Sequence, residues 1–448
     1  MSVKQAAAGS FQRNRELSLL LLALIVGGGA ITLVALGRDR NDLTLSLPII
    51  ATVVASYAGA HVAVRKLARA ADHLLLPVVA VLNTLGLAAV YRLAPKRFGP
   101  AQVTWTVFGL ALLVAVLVFL RDYKTLGRFK YLFGFAGVGL LLLPLSPLGR
   151  EINGAQLWIS LGPLSFQPGE AAKLCLVVFF AGYVAERKEL LALASRRLAG
   201  MHLPDLKHFG PLLVMWGLSL AVMFYEKDLG SSMLFFSIFL VMIYMGTARV
   251  AYLFFGGALF AAGAFLGYRA FGHVQSRVQV WFDVFNPELI DGPSYQLAQS
   301  MFALSTGGLF GTGLGQGRPD LIPEAHTDFI FSVIGEELGL FGTSAVVVLF
   351  MLVIARGMRI ALNARDDFGQ LLAAGLTAIL GLQTIIILGG ITRLLPLTGI
   401  TLPFVSYGGS SLLANFVLIA LLIRVSHQNA SEPDPAHTAE ILIGGGPT

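Results

Sequence analysis

LIPEAHTDFIFSVIGEELGLFG, Leu321 to Gly342, runs from a dense polar turn straight into an apolar helix. Glu324, His326, Thr327 and Asp328 fall within five residues, just after Pro323. Asp328, Ser332 and Glu336 follow at a spacing of four, which places them on one face of the predicted helix. An ionisable side chain at the mouth of a membrane span costs a few kcal/mol or more if unsolvated, so it marks a functional site on a water-filled cavity. The plainer alternative is a solvated loop that precedes a span. The density of polar side chains, continued onto the helix face, argues for the site.

The rest of the chain supplies the membrane. Its 448 residues are 56% hydrophobic and 13% charged, with mean hydropathy +0.76. That composition is all-α and polytopic rather than soluble. Cys175 is the single cysteine, which rules out an intrachain disulfide. The net charge of +7 comes from Lys and Arg dispersed between spans, with no long basic run, so nucleic acid is not an expected partner. The first apolar stretch has Lys4, Arg13 and Arg15 before it, but it is span-length and lacks a small-residue cleavage site. It reads as a retained span.

Twelve spans are expected, at 17–36, 43–64, 73–91, 101–120, 131–148, 168–186, 209–225, 229–247, 250–268, 328–355, 368–391 and 404–425. With the N-terminus inside, the inner segments carry 20 Lys and Arg and the outer segments 11, with Lys173 inside a span. That bias places both termini in the cytoplasm. Arg92, Lys96 and Arg97 lie in one outer loop and run against it. The expected organisation is a cytoplasmic segment 1–16, N-terminal spans 17–148, a membrane core 149–425 and a disordered cytoplasmic tail 426–448, rich in Pro, Ala, Gly and acids. No internal repeat is visible, which weakens an inverted-repeat transporter.

Two outer segments stand out. One is EINGAQLWISLGPLSFQP, Glu151–Pro168. The other, 270–327 between spans nine and ten, is the longest connection, and such loops are usually functional or disordered. Its Gln299–Gly317 part is small and apolar enough to dip back beside the spans, where only protein or a water cavity could satisfy its backbone.

Four constellations carry chemistry. In QPGEAAKL (Gln167–Leu174), Pro168 suits a first helical position and Glu170 a first turn. Lys173 sits one turn inside the sixth span. It either snorkels to the interface or is a buried cation with Glu170 as a local partner and Asp328 as a remote one. The second is the Asp328 face. A positioned carboxylate can take a hydroxyl proton; pairing with Lys173 would lower its pKa and burial would raise it. The third, TRLLPLTGITLPFVSYGGSSL (Thr392–Leu412), breaks the chain at Pro396, Gly399 and Pro403 and offers hydroxyls from Ser406 to Ser411, or simply small residues for packing. The fourth, EKDLGSS (Glu226–Ser232), reads as a solvated outer turn. GLFGTGLGQG lacks the Gly-Lys-Ser/Thr ending of a nucleotide loop. No His/Cys metal cluster is visible, while a divalent cation held by carboxylates and a substrate pyrophosphate is compatible with the residues.

LIPEAHTDFIFSVIGEELGLFG, LGPLSFQPGEAAKL (Leu161–Leu174), EKDLGSSML (Glu226–Leu234), RVQVWFDVFNPELIDGPSYQLAQS (Arg277–Ser300) and ITLPFVSYGGSSL (Ile400–Leu412) together resemble the SEDS family of RodA, FtsW and SpoVE. The likeness covers roughly Gly149 to Arg424. It implies a ten-span core, here with two extra spans near the N-terminus. It also implies a peptidoglycan glycosyltransferase of the bacterial cytoplasmic membrane. Such an enzyme polymerises lipid II on the outer face with a class B penicillin-binding protein and other elongasome or divisome proteins. By motif, Asp328 matches the essential acid of the HTD triplet, Lys173 the lysine of QPSExxKL, Trp158 the tryptophan of GAxxWI, and Glu324 the glutamate before HTD. Gln167, Glu170, His326, Thr327 and Ser406 are expected to support the substrate. Lys173, Arg277 or a metal ion, Mg or Mn with the pyrophosphate, would face the leaving group. Gly169 replaces the usual serine of QPSE, and Leu157 the usual arginine, which removes an anion contact. The extra spans and the SSMLF stretch resemble actinobacterial RodA-type members, favouring elongation over division. The rival readings are a lipid II flippase and a scaffold that only recruits the penicillin-binding partner.

Overall fold

A computed structural model describes residues 3–38, 42–152, 155–161, 164–192, 196–198, 201–203, 210–226 and 228–431. Apolar runs bounded by Lys, Arg, Gly and Pro fold as helices because only a helix satisfies its own backbone in lipid. The first six are α1 (Val3–Arg38), α2 (Asp42–Leu67), α3 (Leu75–Leu93), α4 (Phe98–Phe119), the short α5 (Lys124–Arg128) and α6 (Lys130–Leu142). A three-stranded antiparallel sheet follows, β1 (Gly149–Ile152), β2 (Ala155–Leu161) and β3 (Leu164–Phe166), leading into α7 (Pro168–Glu186). Next come α8 (Lys188–Ala192), the hairpin β4 (Arg196–Leu198) and β5 (Met201–Leu203), then α9 (Gly210–Tyr225), α10 (Leu229–Thr247) and α11 (Ala251–Ala270). The long connection holds α12 (Gly272–Phe282) and α13 (Tyr295–Gly307). The chain closes with α14 (Ile330–Leu362), α15 (Asp367–Ile391) and α16 (Gly409–Ser431).

Among the described residues, ten helices are long and apolar enough to cross a membrane. The expected spans at 131–148 and 209–225 fall on two shorter apolar helices, Lys130–Leu145 and Gly210–Tyr225. Burial sorts the helices into a centre and a rim: α3, α7, α15 and α16 hide 72–78% of their apolar windows inside the protein, while α11 hides 11%. The centre is where polar groups can be sheltered from lipid. Contacts also sort the connections into two ends. At one, Asp72 pairs with Arg356 (Nε, 2.7 Å) and Lys188 with Asp367 (2.5 Å). At the other, Arg92 pairs with Glu337 (2.9 Å), Trp281 Nε1 donates to Arg393 O (3.1 Å), and the Gln167 N–H donates to Ser410 Oγ (2.8 Å). Each group joins connections that the Lys and Arg placement puts on a common side.

Several expectations change. The fold class holds, but the connections add small sheets, and Ile159 of β2 pairs with both Gly149 and Phe166. That sheet delivers Gln167 to the head of α7. Asp328 is not on the α14 face: the helix begins at Ile330, leaving Asp328 in the preceding turn. Glu336, expected to line the site with it, instead accepts from the Arg318 N–H (2.9 Å). The Gln299–Gly317 stretch is part helix, part glycine loop. Its loop closes on a break in α14 at Gly339 (φ 66°, ψ −162°), a conformation open essentially only to glycine. The Thr312 and Gly313 N–H groups reach Glu336 O and Glu337 O (2.9 and 3.0 Å), and Leu340 N–H reaches Gly308 O (2.9 Å). Helix α16 runs to Ser431, into the stretch read as tail; residues 432–448 lie outside the described residues.

Candidate active site

The turn that carries Asp328 is held by its backbone. Glu324 has a positive φ of 51°, and its carbonyl accepts from the Thr327 N–H (3.1 Å) and Oγ1 (3.0 Å). Its carboxylate is exposed and only approaches His326 Nε2, at 3.6 Å. His326 stacks on Phe98 of α4 (4.1 Å between centroids, 16°), and its carbonyl accepts from the Tyr407 N–H (2.8 Å). Burial pushes its imidazole below the usual range, so it is neutral at physiological pH and acts as a packing anchor. Ser406, 3% exposed, donates to Thr327 O (2.6 Å) and accepts from the Leu402 N–H (2.9 Å). The loop between α15 and α16 is thereby stitched to both residues before Asp328.

Across that loop stands Arg277 of α12. Its Nη1 donates to Leu397 O (3.2 Å) and Thr398 O (3.1 Å). Gly399, at φ 76°, lies between the charges: a Cβ there would sit 3.7 Å from Asp328 Oδ2 and 3.8 Å from Arg277 Nη2. Glycine leaves this space open. Burial pushes the Asp328 carboxyl up to about 6, against the pull of Arg277 and a hydrogen bond from Thr327.

Lys173 is 2% exposed and does not pair with Asp328. It contacts Glu170 Oε2 at 2.6 Å and donates to Gln383 Oε1 at 3.1 Å. Gln383 Nε2 donates to Thr401 O (2.7 Å), so the lysine braces the loop that carries Ser406. The local partner wins because the i, i+3 spacing on α7 brings the two side chains together at no loop cost. Trp158 pairs through its backbone with Arg150 on β1 and is half-buried. It is the neighbouring Leu157 that lines a small cavity with Gln167 and Gly169. Alternation along β2 turns Trp158 to the other face.

Glu226, in the turn read as solvated, is buried instead. Glu226 is 5% exposed, and burial together with Asp228 pushes its carboxyl up to about 8. Asp228 caps α10, accepting from the Ser231 N–H (2.9 Å); burial raises its pKa, while the Ser231 bonds and Arg277 oppose that. Three charges in seven residues suggested water; Met223, Leu141, Pro144 and Leu157 close over the turn instead. The one clue in the sequence was the apolar run resuming directly at Leu229. Among the described residues no group of three or more His, Cys, Asp or Glu could hold a metal ion.

This geometry fits what the chain is similar to. The family model described as cell cycle protein, of FtsW, RodA and SpoVE, matches residues 64–431, starting where α1 and most of α2 have passed. The peptidoglycan glycosyltransferase RodA of Mycobacterium tuberculosis is 45% identical over 430 residues, covering 93% of this chain and 91% of the relative. That of Mycobacterium leprae is 44% identical over 444 residues, covering 96% and 94%. Stage V sporulation protein E of Bacillus subtilis is 33% identical over 372 residues, covering 79% and 96%. A chain in a peptidoglycan synthase complex, solved for its coordination of polymerization and crosslinking, superposes with TM-score 0.66 at 27% identity, over 81% of this chain and 99% of that one. The rod shape determining protein RodA of Thermus thermophilus gives 0.57 at 26%, over the same shares. The chain is a multi-pass membrane protein of the FtsW, RodA and SpoVE cell cycle protein family.

Proposed function

We propose that this chain, a peptidoglycan glycosyltransferase, polymerises lipid II at the outer face of the cytoplasmic membrane with Asp328 as its general base. Asp328 takes the proton of the acceptor GlcNAc 4-hydroxyl. That oxygen attacks the anomeric carbon of the lipid-linked MurNAc, the bond to the pyrophosphate oxygen breaks, and undecaprenyl pyrophosphate leaves. The supporting observation is a half-buried carboxyl pushed up to about 6, beside an open space and within the field of Arg277. A base is most effective with a pKa near the working pH. Arg277 faces the charge that develops on the leaving group. An Mg or Mn ion, where one takes part, belongs with the substrate pyrophosphate.

The greater likeness to relatives named RodA than to those named FtsW or SpoVE supports elongation. The match to a synthase complex supports a class B penicillin-binding partner. The test is lipid II polymerisation by the chain with that partner, its transpeptidase blocked by penicillin, comparing wild type with Asp328→Asn. Polymer from wild type alone is expected. Equal polymer from both would remove Asp328 from the mechanism. Transbilayer movement of lipid II without polymer from either would favour a flippase.

A further inference from the structure

Glu226 is a buried acid that this mechanism leaves unused. It sits in the turn between α9 and α10, 5% exposed, and among the described residues nothing hydrogen-bonds its Oε1. An unpaired buried carboxyl oxygen costs stability and calls for an explanation. Its neighbours supply one. Glu226 lines a cavity with Gln167, Gly169, Asp228 and Ser231, closed by Leu141, Pro144, Leu157 and Met223. The room inside is about 10 Å³, enough for a single water or hydroxyl.

The surrounding charges decide what such a group would meet. On its own turn Glu226 faces Asp228. The pair Glu170–Lys173 lies on α7, and Arg277 approaches Asp228 from α12. Helix α6 and strand β2 contribute only apolar walls to the cavity. Lys227 lies outside the described residues. With Asp228 beside it, an ionised Glu226 would set two carboxylates against each other in a poorly solvated space, so the neutral acid is the resting form. A neutral acid has an O–H to give, and Asp228 beside it can accept. One oxygen that both accepts and donates satisfies the two. A phosphate oxygen cannot donate.

We propose that Glu226 is a substrate-contacting carboxylic acid whose free oxygen donates a hydrogen bond to one hydroxyl of the substrate sugar, seated in the cavity at the head of α7 and α10. This rests on the glycosyl-transfer reading above and adds a positioning contact to it. A neutral donor works only while it keeps its proton, so sugar binding weakens as pH rises through the Glu226 transition near 8. Asp328 works only once it has lost its proton, so the acid side of the profile, near 6, belongs to a different group.

The experiment is lipid II polymerisation by the complex with its penicillin-binding partner from pH 5.5 to 9.5, for wild type, Glu226→Gln and Glu226→Met, each checked for thermal stability. In wild type, kcat/KM is expected to fall on both sides. Glu226→Gln, which keeps a neutral donor, should stay within about threefold of wild type at pH 7 and lose the alkaline fall. Glu226→Met, an apolar side chain of similar length, should raise KM about tenfold with kcat little changed, the size of one lost hydrogen bond that leaves its partner unpaired. A wild-type KM in Glu226→Met, an alkaline fall shared by Glu226→Gln, or no alkaline fall in wild type would each overturn the proposal. The wild-type profile tests it even where a variant fails to fold. Loss of the acid limb alone would count against Asp328 as base and leave Glu226 standing.

Discussion

Removing the Arg277 charge should move the acid limb of activity upward. Asp328 Oδ2 and Arg277 Nη2 lie 3.7 and 3.8 Å from the same point at Gly399, so they are at most about 7.5 Å apart. At that separation the attraction is about 0.6 kcal/mol in water-like surroundings and about 2 kcal/mol at an effective dielectric of about 20. The guanidinium is exposed, which favours the lower half of that range. About 0.6–1.4 kcal/mol corresponds to about 0.4–1 pH unit. The sign follows from the charge: a nearby cation favours the carboxylate, so its loss raises the Asp328 pKa above about 6. In Arg277→Gln the midpoint of the acid limb should rise to about 6.4–7, so that polymerisation at pH 5.5, taken relative to the variant's own plateau near pH 7.5, falls about two- to eightfold further than in wild type; the plateau itself also drops, because the leaving group loses the cation that faces it. Arg277 also clamps Leu397 and Thr398. Arg277→Lys separates the two effects, since it keeps the charge and disturbs the clamp. Pre-steady-state polymerisation across pH reads the limb directly. A limb that stays at 6 in Arg277→Gln, or shifts equally in Arg277→Lys, would refute the electrostatic argument.

Two further outcomes follow from the packing. Lys173→Met leaves Glu170 and Gln383 Oε1 without their cation in the protein centre; the loss should be roughly 3–5 kcal/mol, read as a lower unfolding midpoint in detergent, and Glu170→Gln in the same chain should recover part of it. Gly339→Ala places a Cβ 2.3 Å from the Gly311 nitrogen at a φ of 66°; it should cost at least about 1–3 kcal/mol from the backbone conformation alone and reduce yield of folded protein, whereas Gly139→Ala, with nothing within 4 Å, should be silent in the same thermal assay.

Much of this molecule could be read from its sequence because lipid imposes a strong rule on apolar runs. The helical runs, the depth of Lys173 and the weight of the 270–327 connection all came from hydropathy and spacing. What escaped reading depends on contacts between distant residues. Lys173 meets Gln383, 210 positions away. Asp328 stands off its helix because Ser406 and Tyr407 hold the turn from another loop. The glycines of Gly307–Gly317 read as part of a membrane dip; the backbone of Gly335–Gly339 leaves no room for a Cβ at Gly307 or Gly311. Glu226 looked solvated because burial of a turn is decided by what folds over it, here α6 and β2.

The break at Gly339 divides α14 into two mechanical parts. Below it, the ladder of a long helix protects itself. Above it, the short piece from Ile330 to Leu338 accepts backbone hydrogen bonds from the glycine loop at Glu336 and Glu337, while the Glu337 carboxylate joins Arg92 of α3 to the loop's Gly315 N–H. The outer piece therefore cannot unwind by fraying from its own end. It and the loop must let go together, as one cooperative opening unit separate from the rest of the span. The turn that carries Asp328 leads directly into that unit, so its position depends on the glycine loop as well as on the membrane helix beneath it.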